Sequence, residues 1–469
     1  GPAGPAGAAL EGRPGGFSCL PEGMGENPPR GAGRLARART AQAATAALLP
    51  FVPTLELRST YRDDPPFYFG PDLPADDTRE RAVDYSAGVR WLTSFGTRLA
   101  AEVLTHQTLT GMPYLGDGAS MALSVTQPLL EGAGRAGAAV FADEAAAEVR
   151  VERARFRSAL DALLAEVDEA YWTLAFAEAD LAIAGRSLER AKQQFEDTRE
   201  NIRRGILAES EIYIVEENVV FFDQQRLAAE ERLELARRGL ARRLQLEPGA
   251  ALVAADALDW PDTALPAPEA AVKEALAHNP DVRVAALTLE KQRLQVAGAE
   301  NALLPRLDAE GRVSSSGLGD PSAAWSDVAG ADRPAARVGL TLSLPLDLDA
   351  DRAALAQARI EARRLAVELE QVRRRVRFEI HDGLTRLRGL LDRLALAKRR
   401  GELAELKLQA ERDKYESGLA TLADVVRFQR DVDTAAIDLL RVQTERRTAW
   451  SRLLQSQGVL CETLGVELR

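Results

Sequence analysis

Several short segments of the chain alternate apolar and polar residues, which predicts strands with two chemically different faces. In the first of them Leu55, Leu57 and Tyr61 are separated by Glu56 and Arg58. The same alternation runs through residues 307–313 and 337–344. The pattern fits a strand that faces lipid on one side and water on the other, and it equally fits a soluble β-sandwich.

A second pattern, with steps of three and four residues, predicts very long helices. No proline occurs from Asp351 to Lys414, and one apolar stripe runs along that segment. The stripe consists of Leu365, Leu369, Val372, Val376, Ile380, Leu384, Leu387, Leu391 and Leu394. At about 1.5 Å per residue, such a helix approaches 100 Å. This is too long for a globular core, so we expect neighbouring helices to cover the stripe.

Landmarks of the first half of the chain recur in the same order in the second half. Residues 302–307 echo residues 47–52, residues 340–346 echo residues 121–129, and the sequence at Gly418 echoes that at Gly205. Because several landmarks recur in order, we predict an internal duplication. Each repeat contains a helix, strands, a long helix, a glycine turn and a second long helix.

The predicted domain organisation follows from these repeats and from the distribution of proline and glycine. It comprises a disordered or processed segment 1–26, a first repeat 27–249, a linker 250–268, a second repeat 269–457 and a tail 458–469. The first repeat also contains an extra hairpin, residues 84–105, around Ser94-Phe95-Gly96. This hairpin either extends an extracellular loop or pairs at the rim of a barrel. Its aromatic residues Tyr85 and Trp91, with Tyr61, suit either a membrane interface or scattered positions in a core.

Composition and charge exclude several functions for these 469 residues. The net charge of −11 disfavours nucleic-acid binding. No nucleophile elbow, phosphate loop or metal motif is present, so we predict no enzyme activity, no cofactor and no metal. The histidines His106, His278 and His381 are isolated. The sequence contains no stretch of about 18 apolar residues, so we predict no transmembrane helix.

The first residues and the two cysteines leave the state of the N-terminus open. Residues 1–26 contain no apolar signal core, so either a signal has been removed or the recorded start differs from the natural one. Gly16-Phe17-Ser18 before Cys19 makes a poor acylation site, and a lipid anchor is not expected. Nothing in the sequence requires a disulfide between Cys19 and Cys461.

The strands and helices together favour an oligomer. A transmembrane barrel needs about eight or more strands, and an open sheet edge cannot face hydrocarbon. The chain offers about four strands apart from the extra hairpin. If these strands enter a membrane, several chains must share one barrel.

Two stretches of the chain resemble one protein family closely, and the resemblance covers most of the chain, from Asn27 to Gln457. They run from Ala277-His278-Asn279-Pro280 to Leu303-Leu304-Pro305, and from Tyr415 to Val426. The chain resembles the outer-membrane efflux protein family typified by TolC. The resemblance implies an α+β membrane protein in which a shared transmembrane β-barrel of about twelve strands continues into a long periplasmic α-helical barrel.

The resemblance also implies a function and partners. The chain would be one subunit of a homotrimer in the outer membrane of a Gram-negative bacterium, surrounded by outer-membrane lipid and extending into the periplasm. The channel would be a passive exit duct that docks to a periplasmic adaptor protein and an inner-membrane pump. Tripartite efflux of small molecules and type I secretion of proteins both remain open, because the pump selects the cargo.

In this family the helical tips form the periplasmic gate. Asp424 matches a luminal aspartate of TolC, whereas Arg427 replaces a second aspartate, so an Asp424–Arg427 pair is the alternative to an acidic ring. Tyr415 matches a tyrosine that holds the entrance shut. Its acidic partner matches Glu211, and the expected basic residue is Ala420 here. The resemblance therefore predicts an incomplete latch.

The tip glycines and the residues after them carry two interpretations. Gly205 and Gly418 reverse the helix pairs, as C-cap glycines do. Ile206 and Leu419 follow them, and they suit either docking of an adaptor hairpin or packing within the tip. The alternative for the whole chain is a soluble coiled-coil scaffold, which would explain the helices but not the strands beside Pro128 and Pro345.

Overall fold

The computed structural model describes residues 38–64, 80–110, 117–256, 258 and 264–465. The chain divides into two compact units, and the boundary between them falls within three helices. One unit includes Ala36–Arg153 and Ala285–Leu369, and it contains the sheet. The other includes Ala154–Val284 and Glu370–Arg469, and it is helical.

The sheet has six strands, all antiparallel, in the order of the sequence. The strands are β1 (Thr54–Asp64), β2 (Glu80–Leu92), β3 (Arg98–Thr110), β4 (Gly118–Pro128), β5 (Arg306–Leu318) and β6 (Pro334–Ser343). The hairpin predicted from residues 84–105 lies in β2 and β3, between β1 and β4. It therefore does not extend a loop, and the first half of the chain supplies four strands.

Two long helices follow β4, and two more follow β6. They are α1 (Val140–Arg203), α2 (Glu211–Leu244), α3 (Pro268–His278), α4 (Pro280–Ala302), α5 (Pro321–Gly330), α6 (Asp349–Glu416) and α7 (Leu422–Gln457). Residues 38–46 are helical, and Leu49–Phe51, Gly134–Ala138 and Leu460–Thr463 form single turns. None of the described helices is long and apolar enough to cross a membrane.

The two faces of the sheet differ in chemistry along every strand. One row across all six strands is apolar, and the adjacent row on the opposite face is mainly polar. The apolar row consists of Leu55, Val89, Ala101, Leu123, Val313 and Ala336. The polar row consists of Thr54, Arg90, Ala100, Ser124, Arg312 and Arg337. The alternation predicted from the sequence thus extends over the whole sheet, and strand pairing brings the apolar side chains onto one surface.

The apolar face of the sheet is largely exposed. Leu57 is 74% exposed, Leu123 is 55% exposed and Val338 is 89% exposed. Among the described residues, α5 covers one end of the face, where Ala324 and Val328 pack on Ala119 of β4. Contiguous exposed apolar surfaces of this kind mark contact with a membrane or a partner.

In the helical unit the long helices bury one another's apolar stripes. Trp172 and Leu174 of α1 pack with Leu233 and Leu240 of α2. The segment predicted as a linker is bound here, since Leu258 joins this cluster and the Tyr171 hydroxyl donates to Asp256 at 2.7 Å. Along α6 seven residues of the predicted stripe are buried, and Val372 is half-buried. One position of the stripe is corrected. Leu390 is buried and Leu391 is half-buried, because the nearly straight helix brings position 390, three residues after Leu387, onto the packed face.

Cys461 is buried in the same unit, between Leu160 and Leu164 of α1. Its thiol donates to the Asp161 carboxylate at 2.6 Å. Burial, together with this hydrogen bond to a carboxylate, raises the pKa of Cys461 to about 12. The thiol is therefore protonated and inert at neutral pH. Cys19 lies outside the described residues.

Candidate functional site at the helical tips

The turns that join the long helices are built by the glycines identified from the sequence. Gly205 has a φ of 71° and Gly418 a φ of 74°, a conformation that glycine adopts without steric cost. The Ile206 amide donates to the Asn201 carbonyl at 2.9 Å, and the Gly205 amide donates to that of Ile202 at 2.9 Å. This pair of bonds is a Schellman motif.

The second tip ends in the same motif. There the Leu419 amide donates to the Lys414 carbonyl at 2.8 Å, and the Gly418 amide donates to that of Tyr415 at 2.9 Å. The residue after each glycine is apolar and exposed, Ile206 by 66% and Leu419 by 79%. Within the described chain these side chains are therefore not packed into the tip.

Asp424 belongs to the cap of α7. Thr421 is the N-cap residue, and its hydroxyl accepts from the Asp424 amide at 3.2 Å and donates to the Asp424 carboxylate at 2.6 Å. The carboxylate in turn accepts from the Thr421 amide at 3.4 Å, which completes a capping box. These hydrogen bonds, led by that from the Thr421 hydroxyl, lower the pKa of Asp424.

The Asp424 carboxylate also binds Arg427, one turn further along α7, at 3.1 Å. The i, i+3 pair that was the alternative to an acidic ring is thus present in the chain. Two partners, Thr421 and Arg427, compete for this carboxylate. The structure therefore gives Asp424 a structural role at the tip, and a luminal role remains a prediction.

The first tip lacks the corresponding cap. Ala208 lies three residues after Gly205, where the second tip has Thr421 three residues after Gly418. No side chain caps α2, whose N-cap residue is Ser210. Glu211 takes the place of Asp424, and its buried Oε2 atom has no hydrogen-bond partner among the described residues. The start of α2 therefore has fewer capping hydrogen bonds than the start of α7.

Tyr415 and Glu211 are the predicted latch, and the structure shows an electrostatic effect of Glu211 on Tyr415. Burial raises the pKa of Tyr415, and the charge of Glu211 adds to the effect. The described residues contain no hydrogen bond between the two side chains. The structure thus places the pair in one neighbourhood without a closed latch.

A contact that the sequence analysis missed joins the two helical hairpins above the tips. Arg430 of α7 donates to the Glu217 carboxylate of α2 at 2.6 Å and to the Asn218 side chain at 3.0 Å. Its guanidinium also lies 4.3 Å from the centre of the Phe221 ring. A sequence signal for polar contacts at this helix was available. Gln429 and Asp433 occupy the buried face of α7, where an apolar stripe would be expected.

The described residues contain no group of side chains suited to a metal ion. What the fold and the tips define together is a class of protein: an amphipathic antiparallel sheet that continues along the chain into two long helical hairpins with glycine turns. This is the fold of TolC-like outer-membrane channels.

Comparison with known proteins agrees with that class. The model of the outer membrane efflux protein family matches residues 271–459. This match confirms the predicted resemblance to the outer membrane efflux proteins. No curated protein matches the sequence.

Solved structures extend the likeness to most of the chain. CusC has 15% identity and a TM-score of 0.65, over 93% of this chain and 90% of its own. The outer membrane protein VceC of Vibrio cholerae has 15% identity and a TM-score of 0.62, over 93% and 94%. The MtrE outer membrane channel of Neisseria gonorrhoeae, in its open state, has 16% identity and a TM-score of 0.64, over 93% and 87%. At these identities the likeness establishes the fold.

The capping box yields a prediction for the second tip. Replacement Thr421→Ala removes the hydroxyl that caps α7, at a cost of about 1 kcal/mol. We expect hydrogen exchange at the Asp424 amide to accelerate about five-fold, because that amide loses its side-chain acceptor and keeps only the Thr421 carbonyl oxygen, at 3.1 Å. Exchange measured by mass spectrometry or NMR tests this.

Two further variants are the controls. Thr421→Ser keeps the hydroxyl and should exchange like the parent protein. Ala208→Thr places a hydroxyl three residues before Glu211 and should slow exchange at the start of α2. Unchanged exchange in Thr421→Ala would show that the cap contributes nothing to the tip.

Proposed function

We propose that the chain is one subunit of a homotrimeric outer-membrane channel that serves as a passive exit duct for efflux. The observation that carries the proposal is the six-stranded sheet with one continuous apolar face and one charged face. An apolar outer face and a polar lumen are what a transmembrane barrel requires. The family match over residues 271–459 supports the same function.

The open sheet supports an oligomer. Its edge strands β1 and β6 have no neighbouring strand beyond them in the described chain. Unpaired backbone groups cannot face hydrocarbon, so a sheet that enters a membrane must close with other copies. The shared barrel would continue into a periplasmic barrel of helices.

Exposed apolar side chains of the helical unit support the same assembly. On α2 they recur at steps of seven or eight residues, and on α6 they also lie on one face. They are Tyr213, Val220, Leu227 and Leu235 on α2, and Phe378, Leu396, Leu403 and Leu406 on α6. Steps of this kind form a seam that packs against another helix. In the trimer these seams would lie between neighbouring subunits.

The tips would form the periplasmic gate, with Tyr415, Glu211, Asp424 and Arg427 near the opening. A periplasmic adaptor would dock on the exposed residues Ile206 and Leu419, and an inner-membrane pump would supply the cargo. The sheet argues against a soluble coiled-coil scaffold, because an uncovered apolar sheet face would be exposed to water in such a protein.

The mass of the detergent-extracted protein tests the assembly. We expect light scattering, corrected for detergent, to give three times the chain mass of 50.8 kDa. Imaging should show a short barrel joined to a long helical part. A monomer or dimer that stays soluble without detergent would refute the channel and favour the scaffold.

The gate makes a separate prediction. Replacement Glu211→Ala removes the carboxylate near Tyr415, and we expect a higher open probability in planar bilayers because the latch proposed between these two residues in the closed trimer is lost. Glu209→Ala is the matched control, since Glu209 is an exposed acidic residue of the same turn. Equal open probability in the parent protein and Glu211→Ala would remove Glu211 from the gate.

A further inference from the structure

The hairpin of β2 and β3 is an integral part of the sheet. Its two strands have 13 residues each, as many as β5. Transmembrane strands need about 9–11 residues. The hairpin also has an apolar face continuous with that of its neighbours, since Val89 lies beside Leu55 and Ala101 beside Leu123.

Ion pairs and hydrogen bonds on the polar face join this hairpin to the strands on both sides. Arg90 of β2 binds Glu56 of β1 at 3.0 Å. Asp84 of β2 binds Arg62 of β1 at 2.5 Å and His106 of β3 at 2.7 Å.

On the other side, Arg98 of β3 reaches across β4 to Asp308 of β5 at 3.0 Å. A hairpin that merely lay against the sheet would not share its polar face with strands on either side.

The turn of the hairpin is fixed against the segment that leads into α1. Gly96 has a φ of 90°, and a Cβ atom there would lie 2.3 Å from the Gly132 carbonyl oxygen. The Gly134 amide donates to the Phe95 carbonyl at 3.1 Å. Close packing at this end holds β2 and β3 in line with the strands that precede the long helices.

The edges of the sheet suit a second copy of the chain. β1 has 11 residues and β6 has 10. Because the sheet contains an even number of antiparallel strands, β1 and β6 run in opposite directions. Three copies placed around an axis can therefore continue the antiparallel order through each junction.

We propose that β1 of each copy pairs with β6 of the next and that the trimer closes a barrel of eighteen strands, three copies of six. The resemblance to TolC predicts about twelve strands, so this barrel is wider. Barrel diameter grows roughly in proportion to strand number, which gives roughly a 1.5-fold wider lumen. The inference rests on the proposed function, because it requires the trimer.

Cysteine cross-linking in outer membranes tests the strand order, in a Cys19→Ala background that retains the buried Cys461. A short bis-methanethiosulfonate reagent, which links only neighbouring strands, is the probe. Ala101→Cys with Leu123→Cys lies on adjacent strands β3 and β4, and it should link within one chain. Leu57→Cys with Leu123→Cys lies on β1 and β4, three strand spacings or about 14 Å apart, and it should not link.

The junction between copies is tested by Leu57→Cys combined in turn with Val338→Cys, Leu340→Cys and Leu342→Cys, which sample the register of β6. At least one combination should link different chains into dimers and trimers.

A link between positions 57 and 123, or none between 101 and 123, would place the hairpin outside the barrel and overturn the eighteen strands while the trimer stands. A trimeric mass without a junction link at any of the three β6 positions would overturn the β1–β6 pairing. A monomeric mass would instead refute the proposed function itself.

Discussion

The apolar face of the sheet is the constraint on which the account of this protein depends. Six antiparallel strands align their apolar side chains on one surface, and in the part of the chain that the structure describes α5 covers one end of it. At about 25 cal/mol per Å² of apolar surface, leaving such a face in water is costly. Neither the described helices of that unit nor the polar side chains remove this cost. In the proposed channel, contact with hydrocarbon removes this cost, and the same contact forbids free edges at β1 and β6. Closure with other copies thus follows from the same constraint.

The helical tips must meet two opposing requirements. Their backbone groups need hydrogen-bond partners, and a gate needs tips that can rearrange. In both turns a glycine in the left-handed conformation lets the last carbonyl groups of the helix accept hydrogen bonds. Only the second tip adds a capping box, and the carboxylate of Asp424 is occupied by Thr421 and Arg427. In the first tip α2 has no side-chain cap, and a buried Glu211 oxygen has no hydrogen-bond partner among the described residues. In a gate, the less firmly held tip is the one that rearranges at lower cost. Arg430 ties the two hairpins together above this region, through Glu217, Asn218 and the Phe221 ring.

Much of the fold was predictable because its signals are local. The alternation at Leu55–Tyr61 and at residues 337–344 predicted strands, the stripe from Leu365 to Leu394 predicted α6, and Gly205 and Gly418 marked the turns. The position of the β2–β3 hairpin in the sheet was not predictable, because alternation identifies a strand but does not determine which strand pairs with it. Leu391 was assigned to the stripe in place of Leu390 because spacing alone does not fix which of two adjacent leucines faces a partner. The role of Thr421 was missed although its spacing from Asp424 is that of a capping box.

The claim that the apolar face contacts lipid can be tested most directly with two single-cysteine variants on adjacent positions of β4. Leu123→Cys lies on the apolar face and Ser124→Cys on the polar face, and each would carry a bimane label in reconstituted membranes. Brominated lipids quench a fluorophore that touches the acyl chains, whereas aqueous iodide quenches one that faces water. We predict lipid quenching at position 123 with protection from iodide, and the reverse at position 124. Equal access of iodide to both labels, without lipid quenching at position 123, would contradict a membrane-inserted sheet.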